Sequence, residues 1–298
     1  MPSLIIGSEG MGGVHGKTVI EYLVKKLIPN VNIVWQNSPN CSLIVRSHFQ
    51  RHEPFWNPNM NKKPYLLWSG EAYNPIIPKN ASKFLYVITT FINTPLMCYT
   101  PYVLYSPYMY KPKLSLELNR PHLVAYCSSN KVPFREKLFD TFVEKSDDDQ
   151  CHSLGRNFGS HPETQRKVEG TWESHGLVET YTKYKFVFAM ENKNAPGYVT
   201  EKIMNAFHSG AIPIYWGTNY VKELFNTKAF IYANDFPSPE ACVDYVLNLT
   251  DEDREKMMNE PIYHPTNEVI HLMDDEFNAK NGNKTLDNYL KKMKYILS

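Results

Sequence analysis

Short apolar runs alternate with helical segments along most of the sequence. The run "KYKFVFAMEN" is continuous and bounded by polar residues, which is typical of a central strand in a parallel sheet. A helix expected from about Thr200 to Ser209 follows it, with Gly210 as its C-cap, and "AIPIYWG" reads as the next strand. Because this alternation occurs in both halves, the sequence predicts an α/β protein with parallel sheets.

The chain is long enough for two domains of ordinary size. It has 298 residues, of which 42% are hydrophobic, and can therefore bury a substantial core. Polar residues and prolines in "YKPKLSLELNRPH" separate two apolar regions and indicate a linker. We expect an N-terminal domain over residues 1–117, a C-terminal domain over 118–275 and a C-terminal helix over 276–298. Both domains are expected to be Rossmann-like, with parallel sheets that face a central cleft.

Composition argues against several classes of protein. The formal net charge is +1, so no global basic field indicates a nucleic-acid partner. The five cysteines are far apart, odd in number and form no CxxC pair, which argues against a structural zinc site or an extracellular disulfide framework. The sequence shows no signal peptide and no run of about 18 apolar residues. We therefore expect a soluble, cytoplasmic protein without a transmembrane segment.

The N-terminal segment nearly matches a phosphate-binding loop. "GKT" occupies residues 16–18, but the pattern GxxxxGK[ST] requires glycine where Met11 stands. That glycine lets backbone amides approach a phosphate closely. A turn between strand and helix is therefore the favoured interpretation. A GTPase or kinase is the least favoured class, because the sequence also lacks a matching acidic magnesium motif.

Charged and polar residues gather where the strand "KYKFVFAMEN" ends. In doubly wound folds ligands bind beyond the carboxyl ends of strands, so Glu191 and Asn192 are expected to face that crevice. Thr200 is a suitable N-cap, and the amides of a first helical turn favour an anion. Glu201 suits the helix dipole, whereas Lys202 at the same end is unfavourable unless a negative group lies nearby.

A phosphate would supply that negative charge, and Arg135, just past the turn "SSN", is a second cation for the same crevice. Taken alone, Lys202 and Arg135 could each be a solvated surface charge. Together they indicate a diphosphate site without a metal motif. The acidic run "SDDDQ" at residues 146–150 lies in a polar loop after a helix, and we interpret it as a solvated surface run.

The segment "YKFVFAMENKNAPGYVTEKIMNAFHSGAIPIYWG" resembles the signature of the α-1,3/4-fucosyltransferases, family 10 of the glycosyltransferases. The resemblance extends more thinly over residues 122–250 and to "WSGEAYNP" upstream. It implies the two-domain GT-B fold and transfer of L-fucose from GDP-fucose, with inversion, to a hydroxyl of a glycan acceptor. An α-1,3 linkage to a GlcNAc- or glucose-type sugar is expected. Met190 departs from the family pattern, in which Phe precedes Glu-Asn.

The resemblance also implies roles for individual residues on the donor side. Lys202 and Arg135 would bind the pyrophosphate of GDP-fucose. Glu201 would contact the fucose, where its negative charge favours an oxocarbenium-like transition state. Asn192 and Tyr198 would hold the nucleotide and the sugar.

The remaining roles concern support of the loop and the catalytic base. Glu191 is expected to support the donor-binding loop, and Thr200 is counted with the donor-binding residues. Glu71, in "SGEAYNP", matches the family's general base, and an ordinary surface glutamate is the alternative interpretation. If Glu71 is not the base, His52 and Glu53 are the next candidates. No metal or other cofactor is expected, because protein cations would neutralise the leaving diphosphate.

Two other functions remain open from the sequence. One is a GT-B glycosyltransferase that uses another nucleotide sugar, and the other is a catalytically silent carbohydrate-binding protein of the same fold. The combination of Glu201, Lys202 and Arg135 argues against the second, because a lectin has no use for a diphosphate pocket.

Overall fold

The structure is a computed structural model that describes residues 2–9, 16–47, 63–72, 83–92, 94–168 and 174–298. It divides into two compact units, which are Met1–Ser106 with Ala195–Val199 and Thr266–Ser298 (unit 1), and Pro107–Asn194 with Thr200–Pro265 (unit 2). The predicted domain bounds at residues 117/118 and 275/276 stay a prediction, since these units group residues by packing alone.

Unit 1 has a six-stranded sheet in which all neighbouring strands are parallel. Its strands are β1 (Ser3–Glu9), β2 (Asn32–Trp35), β3 (Leu43–Ser47), β4 (Tyr65–Ser69), β5 (Phe84–Ile88) and β6 (Met97–Tyr99). They lie in the order β2-β1-β3-β4-β5-β6. β3 and β4 are buried along their whole length, which explains why they read as continuous apolar runs.

Unit 2 has a five-stranded sheet that is also parallel throughout. Its strands are β7 (His122–Tyr126), β8 (Cys151–Ser153), β9 (Tyr184–Met190), β10 (Ile212–Trp216) and β11 (Ile231–Tyr232). They lie in the order β11-β10-β9-β7-β8, so the direction of winding reverses between β7 and β9. The predicted α/β class with parallel sheets is confirmed in both units.

Helices connect the strands in the described parts of both units. They are α1 (Lys17–Leu27), α2 (Pro133–Lys145), α3 (His175–Tyr181), α4 (Lys202–Ser209), α5 (Val221–Leu224), α6 (Pro239–Leu247), α7 (Asp251–Asn259), α8 (Asp275–Asn281) and α9 (Lys284–Leu297). Within the described ranges, no helix is both long and apolar enough to cross a membrane.

The helices α2 and α4 show how the sequence pattern determines which residues are buried and where a helix ends. In "PFREKLFDTFVEKS" the apolar residues recur at helical spacing, which predicts one buried face. Leu138, Phe139 and Phe142 of α2 are fully buried in the core of unit 2, which confirms that face. Gly210 is confirmed as the C-cap of α4, with a left-handed φ of 80°. A Cβ atom there would lie 1.8 Å from the Ser115 carbonyl oxygen, so both conformation and close packing require glycine.

Candidate active site

The site lies in unit 2, where the winding of the sheet reverses between β7 and β9. Ligands of doubly wound sheets bind at such a point, beyond the carboxyl ends of the strands. Arg135 of α2 ties the two strand ends together there. Its Nη1 donates to the Met190 carbonyl at 2.9 Å and to Asn192 Oδ1 at 3.2 Å. Its Nη2 donates to the Asn130 carbonyl at 2.6 Å, in the turn that follows β7.

This geometry gives Arg135 a structural task that the sequence did not indicate. The residue is only 1% exposed, and its guanidinium donates to oxygens of the protein itself. It is therefore a buried cation at the bottom of the strand-end crevice and not the solvated surface charge that was its alternative interpretation. Its contact with a diphosphate stays a prediction.

Glu191 directly follows β9 and is fully buried. Its backbone amide donates to the Trp216 carbonyl at 2.8 Å, which continues the pairing of β9 with β10. Its carboxylate accepts two hydrogen bonds from Thr200, one from the backbone amide at 2.7 Å and one from the hydroxyl at 2.8 Å. Burial raises the pKa of Glu191, and the nearby Lys202 opposes that rise. The carboxylate thus holds the start of the Thr200 segment against the strand end.

The prediction that Thr200 is the N-cap of the following helix is wrong. The helix begins at Lys202, and Glu201 precedes it with helical backbone angles and no capping hydrogen bond from its side chain. Instead of accepting from a helix amide, the Thr200 hydroxyl donates to the Glu191 carboxylate. A buried carboxylate needs such donors, because an unsatisfied buried charge is costly.

Lys202 lies at the amino end of α4 with its charge already balanced by the protein. Its ammonium donates to Thr200 Oγ1 at 3.0 Å and lies 3.4 Å from Glu201 Oε1 and 3.6 Å from Glu191 Oε2. Burial alone would lower the pKa of Lys202, but the two carboxylates raise it. Two carboxylates of the protein thus supply the negative charge that the sequence led us to expect beside this lysine.

The Lys202 side chain nevertheless remains partly accessible. The Lys202 side chain is 24% exposed, whereas that of Glu201 is 9% exposed and that of Glu191 is fully buried. Two carboxylates and two cations, Lys202 and Arg135, form a cluster without net charge. Chemically, this cluster offers an incoming anion a fixed ammonium group at the amino end of a helix, where backbone amides also favour negative charge.

Two further residues belong to this cluster and were missed in the sequence. Cys127 follows β7, and burial raises the pKa of its thiol while the Lys202 charge opposes the rise. Tyr181, the last residue of α3, is buried; this burial, with the Cys127 thiol and the Glu201 carboxylate beside it, raises its pKa well above the ordinary value. The sequence did not indicate either residue, because Cys127 is an isolated cysteine and the helix that ends at Tyr181 is too short to show a clear hydrophobic period.

Tyr198 lies in the other unit, since Ala195–Val199 packs with unit 1. The Tyr99 hydroxyl donates to the Gly197 carbonyl at 2.6 Å, and Gly197 has a left-handed φ of 78°. Tyr198 itself is 5% exposed. Its donor-binding role stays a prediction.

Glu71 also belongs to unit 1, just after the carboxyl end of β4. It is partly buried, and its backbone amide donates to Ser69 Oγ at 3.2 Å. Its role as the base stays a prediction. The alternative bases, His52 and Glu53, lie outside the described residues.

Comparison with known proteins shows which protein family the chain resembles. Residues 119–260 match the model of the glycosyltransferase family 10 (fucosyltransferase) C-terminal region. Alpha-(1,3)-fucosyltransferase B of Drosophila melanogaster is 31% identical over 163 residues, which are 54% of this chain and 35% of that protein. Alpha-(1,3)-fucosyltransferase FucT of Helicobacter pylori is 44% identical over 71 residues, which are 24% of this chain and 15% of that protein.

Solved structures resemble the whole chain. The crystal structure of an α1,3-fucosyltransferase with GDP-fucose has a TM-score of 0.66 and covers 100% of this chain and 91% of its own, at 19% identity. At that identity the likeness shows the fold alone.

The two parallel sheets, together with these structural likenesses, define the fold as GT-B. Residues 119–260 match the model of glycosyltransferase family 10, the fucosyltransferases, so the resemblance found in the sequence is confirmed. The matched residues make up only 35% and 15% of the two curated relatives, so the chain spans a minor part of their length.

Proposed function

We propose that this protein transfers L-fucose from GDP-fucose to a hydroxyl of a glycan acceptor, with inversion at the anomeric carbon. The expected product has an α-1,3 linkage to a GlcNAc- or glucose-type sugar. The observation that carries the proposal is the cluster of Lys202, Glu201 and Glu191 at the reversal point of the unit 2 sheet, inside the part that matches the family.

Lys202 is the central donor-binding residue in this proposal. Its ammonium is held in place by Thr200 Oγ1 and the Glu201 carboxylate, yet a quarter of the side chain is exposed (24%). A diphosphate would accept hydrogen bonds from this group and from the first amides of α4. Because the ammonium is already fixed, little side-chain entropy is lost when the donor binds.

Arg135 contributes a second positive charge and the shape of the crevice. Through the Asn130 and Met190 carbonyls it sets the separation of the two strand ends, and it holds Asn192 Oδ1 at 3.2 Å. Asn192 is itself exposed, so its amide can contact the nucleotide or sugar while Arg135 fixes its orientation. Tyr198 is assigned to the same donor by the family pattern.

The chemical step requires one base and no acid. The bond between the anomeric carbon of fucose and the diphosphate oxygen breaks, and a bond from the acceptor hydroxyl oxygen to that carbon forms. Glu71 takes the proton of the hydroxyl. Charge that develops on the departing diphosphate is stabilised by Lys202 and Arg135, and the Glu201 carboxylate favours the positive charge that develops on the sugar.

A nucleotide scan by thermal shift tests the proposal against the two alternatives. GDP should raise the melting temperature, whereas UDP and ADP at the same concentration should not, because only the bound nucleotide stabilises the folded state. Stabilisation by another nucleotide in place of GDP would indicate a different donor. Stabilisation by none of them, with no release of GDP from GDP-fucose on a glycan panel, would contradict an enzymatic role.

A further inference from the structure

A group of side chains lies together near the amino-terminal edge of the unit 2 sheet, away from the candidate active site. His122 is the first residue of β7, His152 lies in β8, and Asp149 precedes β8 in the acidic run 147–149. Nitrogen or oxygen atoms of these three side chains all lie within 4.8 Å of one another. We propose that His122, His152 and Asp149 form a binding site for one zinc-class divalent transition-metal ion.

The spacing of these atoms fits a zinc site with small adjustments. His152 Nε2 lies 2.9 Å from Asp149 Oδ1, and the His122 and His152 rings meet edge to face with centroids 4.5 Å apart. Zinc bonds of about 2.0–2.2 Å in tetrahedral geometry place ligand atoms about 3.3 Å apart. The 2.9 Å contact is somewhat shorter than that value, and all ligand atoms lie within 4.8 Å of one another, so modest rotation of exposed Asp149 and partly buried His122 suffices.

A buried hydroxyl orients the central ligand. His152 Nδ1 lies 2.9 Å from the Tyr184 hydroxyl, and His152 is only 2% exposed. Histidines that bind metals nearly always have such a partner on the other ring nitrogen, which fixes the ring and the tautomer. Without a metal ion, Nε2 donates its proton to Asp149 Oδ1 at 2.9 Å. With a metal ion bound, Nδ1–H would donate to the Tyr184 hydroxyl, and the Nε2 lone pair would be directed at the ion that Asp149 Oδ1 also binds.

The surroundings favour a cation, with one competitor. Asp147, Asp148, Asp149 and Glu163 line a cleft of about 270 Å³. Arg166 lines it too and pairs with Asp149 Oδ1. Its side chain is 41% exposed, and its Nη1 also donates to the carbonyls of Glu163 at 2.7 Å and Gln165 at 3.1 Å. The guanidinium thus occupies one ligand oxygen, and a metal ion must displace it. Two imidazoles and one carboxylate select zinc-class ions over magnesium or calcium, which prefer oxygen ligands throughout.

The position of the site gives it a structural role. In a parallel sheet the amino ends of the strands lie at the edge opposite the carboxyl ends, where Lys202 and Glu191 are found. A metal ion here would connect the start of β7 to the segment that leads into β8 and would stabilise unit 2 without contact with the donor. The inference is therefore independent of the proposed transfer reaction.

The test is calorimetric titration of the full chain with Zn²⁺ after it has been stripped with a chelator and dialysed. We expect one high-affinity ion per chain, and a rise in melting temperature with Zn²⁺ but not with Mg²⁺. Asp149→Asn and His122→Gln should each weaken the binding of Zn²⁺ by about tenfold to a hundredfold. Because Asp149 is exposed, Asp149→Asn should fold normally. Equal melting temperatures of this variant and the original protein in the presence of chelator would verify that.

Matched variants separate this site from zinc bound elsewhere, since the chain has ten histidines. Asp148→Asn removes a neighbouring exposed carboxylate and should leave Zn²⁺ affinity unchanged. Arg166→Gln should strengthen binding, because it removes the competing guanidinium from Asp149. All these variants should bind GDP like the original protein. The proposal is overturned if the original chain binds no Zn²⁺, if Asp149→Asn binds it equally well, or if Arg166→Gln does not bind it more tightly.

Discussion

The sheets of unit 1 and unit 2 reverse their winding at corresponding places, between β1 and β3 in one and between β7 and β9 in the other. In unit 2 the strand ends at that point carry a connected cluster built around Arg135, Glu191 and Lys202. In unit 1 the residues that follow β1 and β3, 10–15 and 48–62, lie outside the described part of the chain. The same topology is thus accompanied by a defined charged site in only one unit as described.

The family match follows the same division. Residues 119–260 lie in unit 2 apart from Ala195–Val199. A site that recognises a common donor is constrained by one fixed ligand, whereas the part that recognises acceptors must differ as acceptors differ. We therefore propose that unit 2 binds the diphosphate of the donor and that unit 1 supplies the base, Glu71.

The largest expected effect comes from unit 1. Glu71→Gln should lower the rate of fucose transfer by about two to four orders of magnitude, the usual contribution of a positioned base. The swap keeps the side-chain volume and removes the acceptor of the proton. Steady-state transfer measured over a range of pH should also lose the fall in rate at low pH that protonation of this carboxylate causes.

Glu276→Gln is the matched control, since Glu276 is an exposed acid of α8 in the same unit. It should transfer fucose at the original rate. If Glu71→Gln does so as well, the base is another residue, and His52 and Glu53 are the next to test.

A smaller loss of activity is expected when the Lys202 ammonium group of unit 2 is removed. Lys202→Ala should lower kcat/KM for GDP-fucose roughly a hundredfold, because a charge-assisted contact to phosphate contributes about 2–3 kcal/mol. Lys183→Ala, which removes an exposed lysine from the same unit, should leave kcat/KM unchanged. Equal values for the two variants would remove Lys202 from the donor site.

The hydrogen bonds within the cluster should contribute to the free energy of unfolding. Thr200→Val removes the hydroxyl that donates to the buried Glu191 carboxylate, and urea unfolding should show a loss of about 1–3 kcal/mol. Thr182→Val is the control, because that hydroxyl donates to a neutral carbonyl, of Glu179, near the surface. A similar small loss in both variants would mean that the Thr200 bond to Glu191 is weak.

The smallest effect is expected from removal of metal ions. EDTA should leave the rate of transfer at 25 °C unchanged, because Lys202 and Arg135 supply the positive charge at the diphosphate in this account. Complete loss of transfer that Mg²⁺ or Mn²⁺ restores would show that a metal carries that charge instead. A lower melting temperature in EDTA, without loss of transfer, is the result expected from the site at His152.

Local sequence patterns predicted the main elements of both units, as the apolar run of β9, the buried face of α2 and the cap at Gly210 show. Strands of three residues, such as β6 and β8, are too short to show a period and were not predicted.

Errors at the candidate site came from contacts between distant residues. Thr200 has the composition of an N-cap, but Glu191, nine residues earlier, takes its hydroxyl and its amide. The charge on Lys202 likewise has one partner, Glu191, that only the folded chain places within 4 Å. Local propensity cannot include such tertiary competition.

The most direct measurement is the dissociation constant of GDP, determined by calorimetry side by side for the original protein, Lys202→Ala and Glu71→Gln. If donor binding belongs to unit 2 and the base to unit 1, Lys202→Ala weakens GDP binding by roughly a hundredfold and Glu71→Gln leaves it unchanged. Unchanged affinity in Lys202→Ala, or an equal loss in both variants, would contradict this division of roles.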